Sequence, residues 1–133
     1  MSRQVWFAAL TACLVCLFAT PGLAVQAQPA PQDVPTISVQ DLQAMIRQKT
    51  FFLLLDVREP KEFAAGHIAG AMPMPLGVVP AQYRQLPAGT TLVVYCRTGH
   101  RSAQAVSFLR AHGYGKAFSL AGGYTAWSAA QVQ

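Results

Sequence analysis

Apolar and polar positions along the chain fall into blocks of two different periods. Leu42, Met45 and Ile46 recur at the three-to-four spacing of one helical face, in a segment running to about Lys49. Ser38, three positions before Asp41, resembles a capping box with Asp in the place of Glu. Residues 36–38 can form a short strand ahead of it. Residues 51–55 are a continuous apolar run, the pattern of a strand buried on both faces, and the run ends in Asp56-Val57-Arg58, where polar groups emerge. Pro60 suits a helix's first position and Gly66 its end, which predicts a short helix over 60–65. A loop follows over 67–71. Residues 72–76 read as a brief strand whose prolines confine it to an edge or irregular position. Residues 80–86 look helical, and Pro87-Ala88-Gly89 is a turn. A strand is expected over 91–95 and a helix from Ser102 to about His112 with Gly113 as its cap. A last strand over 116–120, a loop over 121–123 and a helix over 124–130 packing Trp127 complete the pattern. Strands alternating with helices predict an α/β domain with a central parallel sheet and helices on both faces. No internal repeat is present.

Ligands of such sheets bind beyond the carboxyl ends of the strands. Asp56, Arg58, the loop after Tyr95 and residues 121–123 all fall on that rim. The loop reads Cys96-Arg97-Thr98-Gly99-His100-Arg101-Ser102, between an apolar strand and a helix-forming segment. Its backbone N–H groups would face an anion in its mouth, and the following helix's dipole adds to their pull. A thiol placed there ionises below its free pKa, and the thiolate is the nucleophile. Gly99 supplies a curl of positive φ, and Arg97 and Arg101 add positive charge. A buried structural cysteine would also fit a strand end. The strand before Cys96 and the helix after it favour a catalytic thiol.

Composition changes the picture at the N-terminus. Apolar residues make up 53% of the 133 residues, and the formal net charge is +5. Arg3, an apolar stretch over 5–19, Pro21-Gly22 and the small residues before Gln28 form the pattern of a cleaved secretory signal over 1–27. The apolar stretch is shorter than the ~20 residues of a spanning helix. An uncleaved N-terminal membrane anchor is the alternative. Export, with a periplasmic destination, is the expectation, with no stable membrane insertion once the signal is removed. Residues 28–35 are a Pro-rich, flexible lead, and 36–133 form one domain. The mature chain would carry a net charge of about +4, with no basic run of the kind that binds nucleic acid, and would suit a small anionic substrate. Cys13 and Cys16 lie in the signal, so Cys96 would be alone, with no internal disulfide available.

Four segments, in order, make the chain resemble the rhodanese family, over residues 37–127. They are Leu55-Asp56-Val57-Arg58-Glu59 with Phe63, Gly66-His67-Ile68-Ala69-Gly70-Ala71, the loop from Cys96 to Ser102, and Leu120-Ala121-Gly122-Gly123-Tyr124 before Trp127. The resemblance implies the three-layer rhodanese-like fold and sulfur transfer through a persulfide on Cys96. A donor such as thiosulfate would give up its outer sulfur, and cyanide, a thiol or a protein acceptor would remove it. The N–H groups of Arg97, Thr98, Gly99, His100, Arg101 and Ser102 would hold the anionic sulfur, and Arg97 and Arg101 would neutralise the departing sulfite. This chemistry needs no metal or organic cofactor, and no His/Cys ligand cluster points to one. Two alternatives differ in class: a non-catalytic rhodanese-type module that binds a partner protein, and a phosphatase or arsenate reductase of related fold. Phosphatases with such cradles place five residues between Cys and Arg. Here there are four, and the smaller ring suits a single sulfur atom.

The remaining polar residues have plainer readings. His67 is expected to bond the backbone, His100 to face solvent near the loop, and His112 to complement a helix C-terminus. Asp56 and Arg58 are expected to tie the rim together by a salt bridge or loop hydrogen bonds. Glu59 and Glu62 read as solvated helix charges. Met72 and Met74 read as packing.

Overall fold

The structure, a computed structural model, describes residues 34–132. The expected signal over 1–27 and most of the lead over 28–35 lie outside the described residues. Pro35, at the end of that lead, already belongs to the fold, because its carbonyl accepts a 2.9 Å bond from Ser119 N–H. Among the described residues no helix is long and apolar enough to cross a membrane.

Five parallel strands form the sheet in the order β1-β5-β4-β2-β3. They are β1 (Thr36–Ile37), β2 (Leu53–Asp56), β3 (Met72–Pro73), β4 (Leu92–Tyr95) and β5 (Ala117–Leu120). The helices are α1 (Val39–Arg47), α2 (Pro60–Ala65), α3 (Val79–Gln82), α4 (His100–Ala111) and α5 (Gly123–Gln131). The parallel three-layer architecture expected from the strand–helix alternation is the one found.

The central strand shows why the sheet is buried on both sides. Leu92 and Val94 face a core shared with Val79 of α3 and Ala105, Val106 and Leu109 of α4. Val93 and Tyr95 face the opposite core, with Leu42 of α1 and Tyr124 and Trp127 of α5. All four β4 side chains are fully buried, as a strand between two helical layers requires. Cys96 follows on the α3–α4 side.

Four elements differ from the sequence pattern. β2 begins at Leu53 because its register opens opposite Leu92, so Phe51 stands unpaired and 77% exposed. β3 is only two residues long: Pro73 and Pro75 have no N–H to extend the ladder, and a 3-10 turn over Leu76–Val78 takes the chain away. The 80–86 segment divides into α3 and a 3-10 turn, Tyr83–Gln85. α4 starts at His100 rather than Ser102, with Gly99 as its N-cap at φ 109°. No capping side chain marks that start, so the helix begins inside the loop.

Candidate active site

The Cys96 loop is short because α4 begins within it. His100 and Arg101 are the first two helical residues, and the N–H groups of a helix's first turn have no partner within the helix. The Gly99 N–H donates to Cys96 Sγ at 3.0 Å, and the Ser102 hydroxyl lies 3.6 Å from it. The sulfur sits deep, with Cys96 1% exposed. Burial alone would push the thiol's pKa up. Hydrogen bonds from the Ser102 N–H and hydroxyl and from the Gly99 and Thr98 N–H groups outweigh it, and the pKa lies below its ordinary value.

The loop is held from below by a second helix. The first N–H groups of α5 bond the loop's carbonyls, Tyr124 to Cys96 at 2.8 Å and Thr125 to Arg97 at 3.0 Å. That approach requires glycine at 123, with φ 58°: a Cβ there would lie 2.5 Å from the Cys96 carbonyl oxygen.

The rim residues Asp56 and Arg58 form a buried pair. Arg58 Nη2 donates to Asp56 Oδ2 at 2.6 Å and Nε to Oδ1 at 3.0 Å. Nη2 also donates to the Gly66 carbonyl at 2.7 Å, and the guanidinium lies over the rings of Tyr124 and Tyr95, 4.3 and 5.5 Å from their centroids. Arg58 thus ties β2, α5 and the end of α2 together.

Arg101 does not stand free beside the sulfur. Its guanidinium makes a two-pronged bond to Glu62 on α2, at 2.8 and 3.0 Å. Glu62, read from the sequence as a solvated charge, is therefore part of the site's wall. The hydrogen bond from Arg101 holds its carboxyl well below the ordinary value, at about 2. Among the described residues Arg97 makes no ion pair, and it is exposed. It lines a cleft of about 410 Å³ with Arg58, Glu62, Gly66, Tyr124 and Thr125.

Thr98 and His100 are exposed on the loop. His67 and His112 are each tied to their own helix. Each ring's Nδ1 bonds a backbone carbonyl four residues earlier, Phe63 at 2.9 Å and Phe108 at 2.7 Å, and each stacks on that phenylalanine. The loop, the Asp56–Arg58 tie and the Gly122-Gly123 turn do converge on one end of the sheet. Sequence reasoning missed Glu62, whose partner lies 39 residues away, and Ser119, considered below.

The model of the rhodanese-like domain matches residues 38–130. The chain belongs to the rhodanese-like family. A sulfurtransferase from Allochromatium vinosum is 36% identical over 95 residues, covering 71% of this chain and 89% of its own length. Thiosulfate sulfurtransferase GlpE from Tolumonas auensis is 32% identical over 91 residues, covering 68% and 85%. The human single-domain sulfurtransferase TSTD1 superposes with a TM-score of 0.64 at 30% identity, covering 71% of this chain and 96% of that one. Other relatives are longer, and the chain spans about half or a quarter of them.

Proposed function

We propose that the protein is a rhodanese-type sulfurtransferase in which Cys96 carries the transferred sulfur. The observation that carries this reading is a buried thiol whose pKa is nonetheless lowered by a ring of N–H donors at the start of α4. Relatives named as sulfurtransferases support it. In the first step the Cys96 thiolate attacks the outer sulfur of thiosulfate. The donor's S–S bond breaks, and its electron pair leaves with sulfite. The anionic persulfide rests against the N–H groups of the loop. In the second step cyanide or a thiolate attacks the outer sulfur, and the electron pair of the breaking bond returns to Sγ. Arg97, at the cleft and without a carboxylate partner among the described residues, receives the anionic donor. Arg101 is balanced by Glu62 and contributes less free charge than its place in the loop implies. The four-residue spacing between Cys96 and Arg101 disfavours phosphate hydrolysis.

Incubation of the purified protein with thiosulfate should add one sulfur atom, ~32 Da by intact mass, removable by cyanide. Cys96→Ser should add nothing. Turnover of an aryl phosphate lost in Cys96→Ser, with no mass gain in the parent protein, would overturn the reading in favour of a phosphatase. Export is part of the same proposal: the signal-like pattern over 1–27 supports a mature chain that begins near Gln28 and a periplasmic destination.

A further inference from the structure

Ser119, on β5, takes no part in the scheme above, yet it is 2% exposed and polar. Its backbone N–H is spent on the Pro35 carbonyl. Its hydroxyl oxygen lies 2.8 Å from that of Ser102, which is fully buried. The Ser102 oxygen in turn lies 3.1 Å from the Gly99 carbonyl and 3.6 Å from Cys96 Sγ. Ser102 therefore has one hydroxyl proton and three neighbours.

Counting donors decides the direction of the chain. The Gly99 carbonyl can only accept. Among the described residues the Ser119 hydroxyl has a single hydrogen-bond partner, Ser102. Were Ser102 to donate to Ser119, the Ser119 proton would have no protein acceptor among the described residues, the costlier arrangement for a residue 2% exposed. Ser119 therefore donates, and the Ser102 proton is free for either the Gly99 carbonyl or the sulfur. Beside a neutral thiol the nearer carbonyl is the better acceptor. Beside a thiolate the charge-assisted bond wins.

We propose that Ser119 is a positioning residue for the Cys96 thiolate: its hydroxyl donates to Ser102 and turns the Ser102 proton toward Sγ whenever that sulfur is charged. Ser119 touches no reacting atom and acts only through Ser102. Accepting a bond also polarises the Ser102 O–H, which strengthens the one it gives. The sulfur is charged at two points of the transfer scheme, before it attacks the donor and when it is released by the acceptor. The Ser102 proton swings between its two acceptors at each, and none is gained or lost.

The inference concerns the thiol itself, so its test needs no sulfur donor. The rate at which iodoacetamide alkylates Cys96, followed by mass against pH, reports the thiol pKa. Ser102→Ala should raise it by about one unit and Ser119→Ala by about half a unit. The double variant should move no further than Ser102→Ala alone, because the outer hydroxyl has lost its only route to the sulfur. Ser119→Thr, which restores the donor, should return the value toward that of the parent. An unchanged pKa in Ser119→Ala, with only a lower melting temperature, would reduce Ser119 to packing and overturn the proposal. Additive shifts in the double variant would overturn it as well. Should Ser119→Ala not fold, the unsubstituted protein still decides: the Ser119 Cβ resonance should titrate with the Cys96 thiol, and a flat shift across that range would end the idea. Absence of a persulfide with thiosulfate would leave this result untouched, and the reverse also holds.

Discussion

Glu62 and Arg101 join two elements that sequence separation keeps apart, and their pairing has a sign that can be tested by pH. The hydrogen bond from Arg101 lowers the Glu62 carboxyl from 4.5 to about 2. A carboxyl depressed in the folded state contributes stability above its unfolded value, and that contribution is lost as the pH falls toward about 2. The two side chains are 31% and 21% exposed, so solvent screening limits the pair to about 1 kcal/mol or less. Glu62→Gln should therefore be less stable than the parent near pH 6, by roughly that amount, and nearly equal to it near pH 2. Urea unfolding at the two pH values reads this directly. A difference that stays constant across the range would show that Arg101 is not what Glu62 contributes.

At the scale of elements, the site is a junction of two helix N-termini. α4 turns N–H groups toward the sulfur, while α5 turns its own toward the first two carbonyls of the loop. Gly123→Ala should force these apart, because its Cβ would overlap the Cys96 and Arg97 backbone at a positive φ. The expected result is a stability loss of at least ~1–3 kcal/mol and a higher Cys96 pKa, with helix content by circular dichroism retained. Alkylation at an unchanged rate would mean that α5 does not set the loop. Much of this junction was legible in the sequence. Apolar runs and helical spacing located four of the five strands within two residues, and the parallel topology put Asp56, Cys96 and residues 121–123 on one rim. Two kinds of feature were not legible. The start of α4 carries no capping side chain, only Gly99. The partners Glu62–Arg101 and Ser102–Ser119 depend on distances between elements, which no local pattern encodes.

For the molecule as a whole, the sheet and its two helical layers bury Cys96, 1% exposed, within the loop whose Arg97 lines the neighbouring cleft. On the proposed function, that burial favours a slender donor over the thiol of a folded protein. On the same proposal a persulfide would change the reach: the added sulfur would extend the reactive atom by roughly 2 Å, so a bulkier acceptor would not need to touch Sγ. Among the described residues Cys96 is the sole cysteine, and on the export reading the mature chain has no other. A disulfide-linked dimer would require two such buried sulfurs to come within bonding distance. The mature chain, residues 28–133, should therefore stay monomeric on a non-reducing gel when the native protein is treated with an oxidant too large to enter the ring. The same treatment in urea should give a dimer that Cys96→Ser abolishes. Unfolding is the variable that matters, because it releases the sulfur from the loop and the start of α4. Equal dimer from native and unfolded protein would mean that the ring opens freely in solution, and the separation of small donors from large acceptors by depth would fail with it.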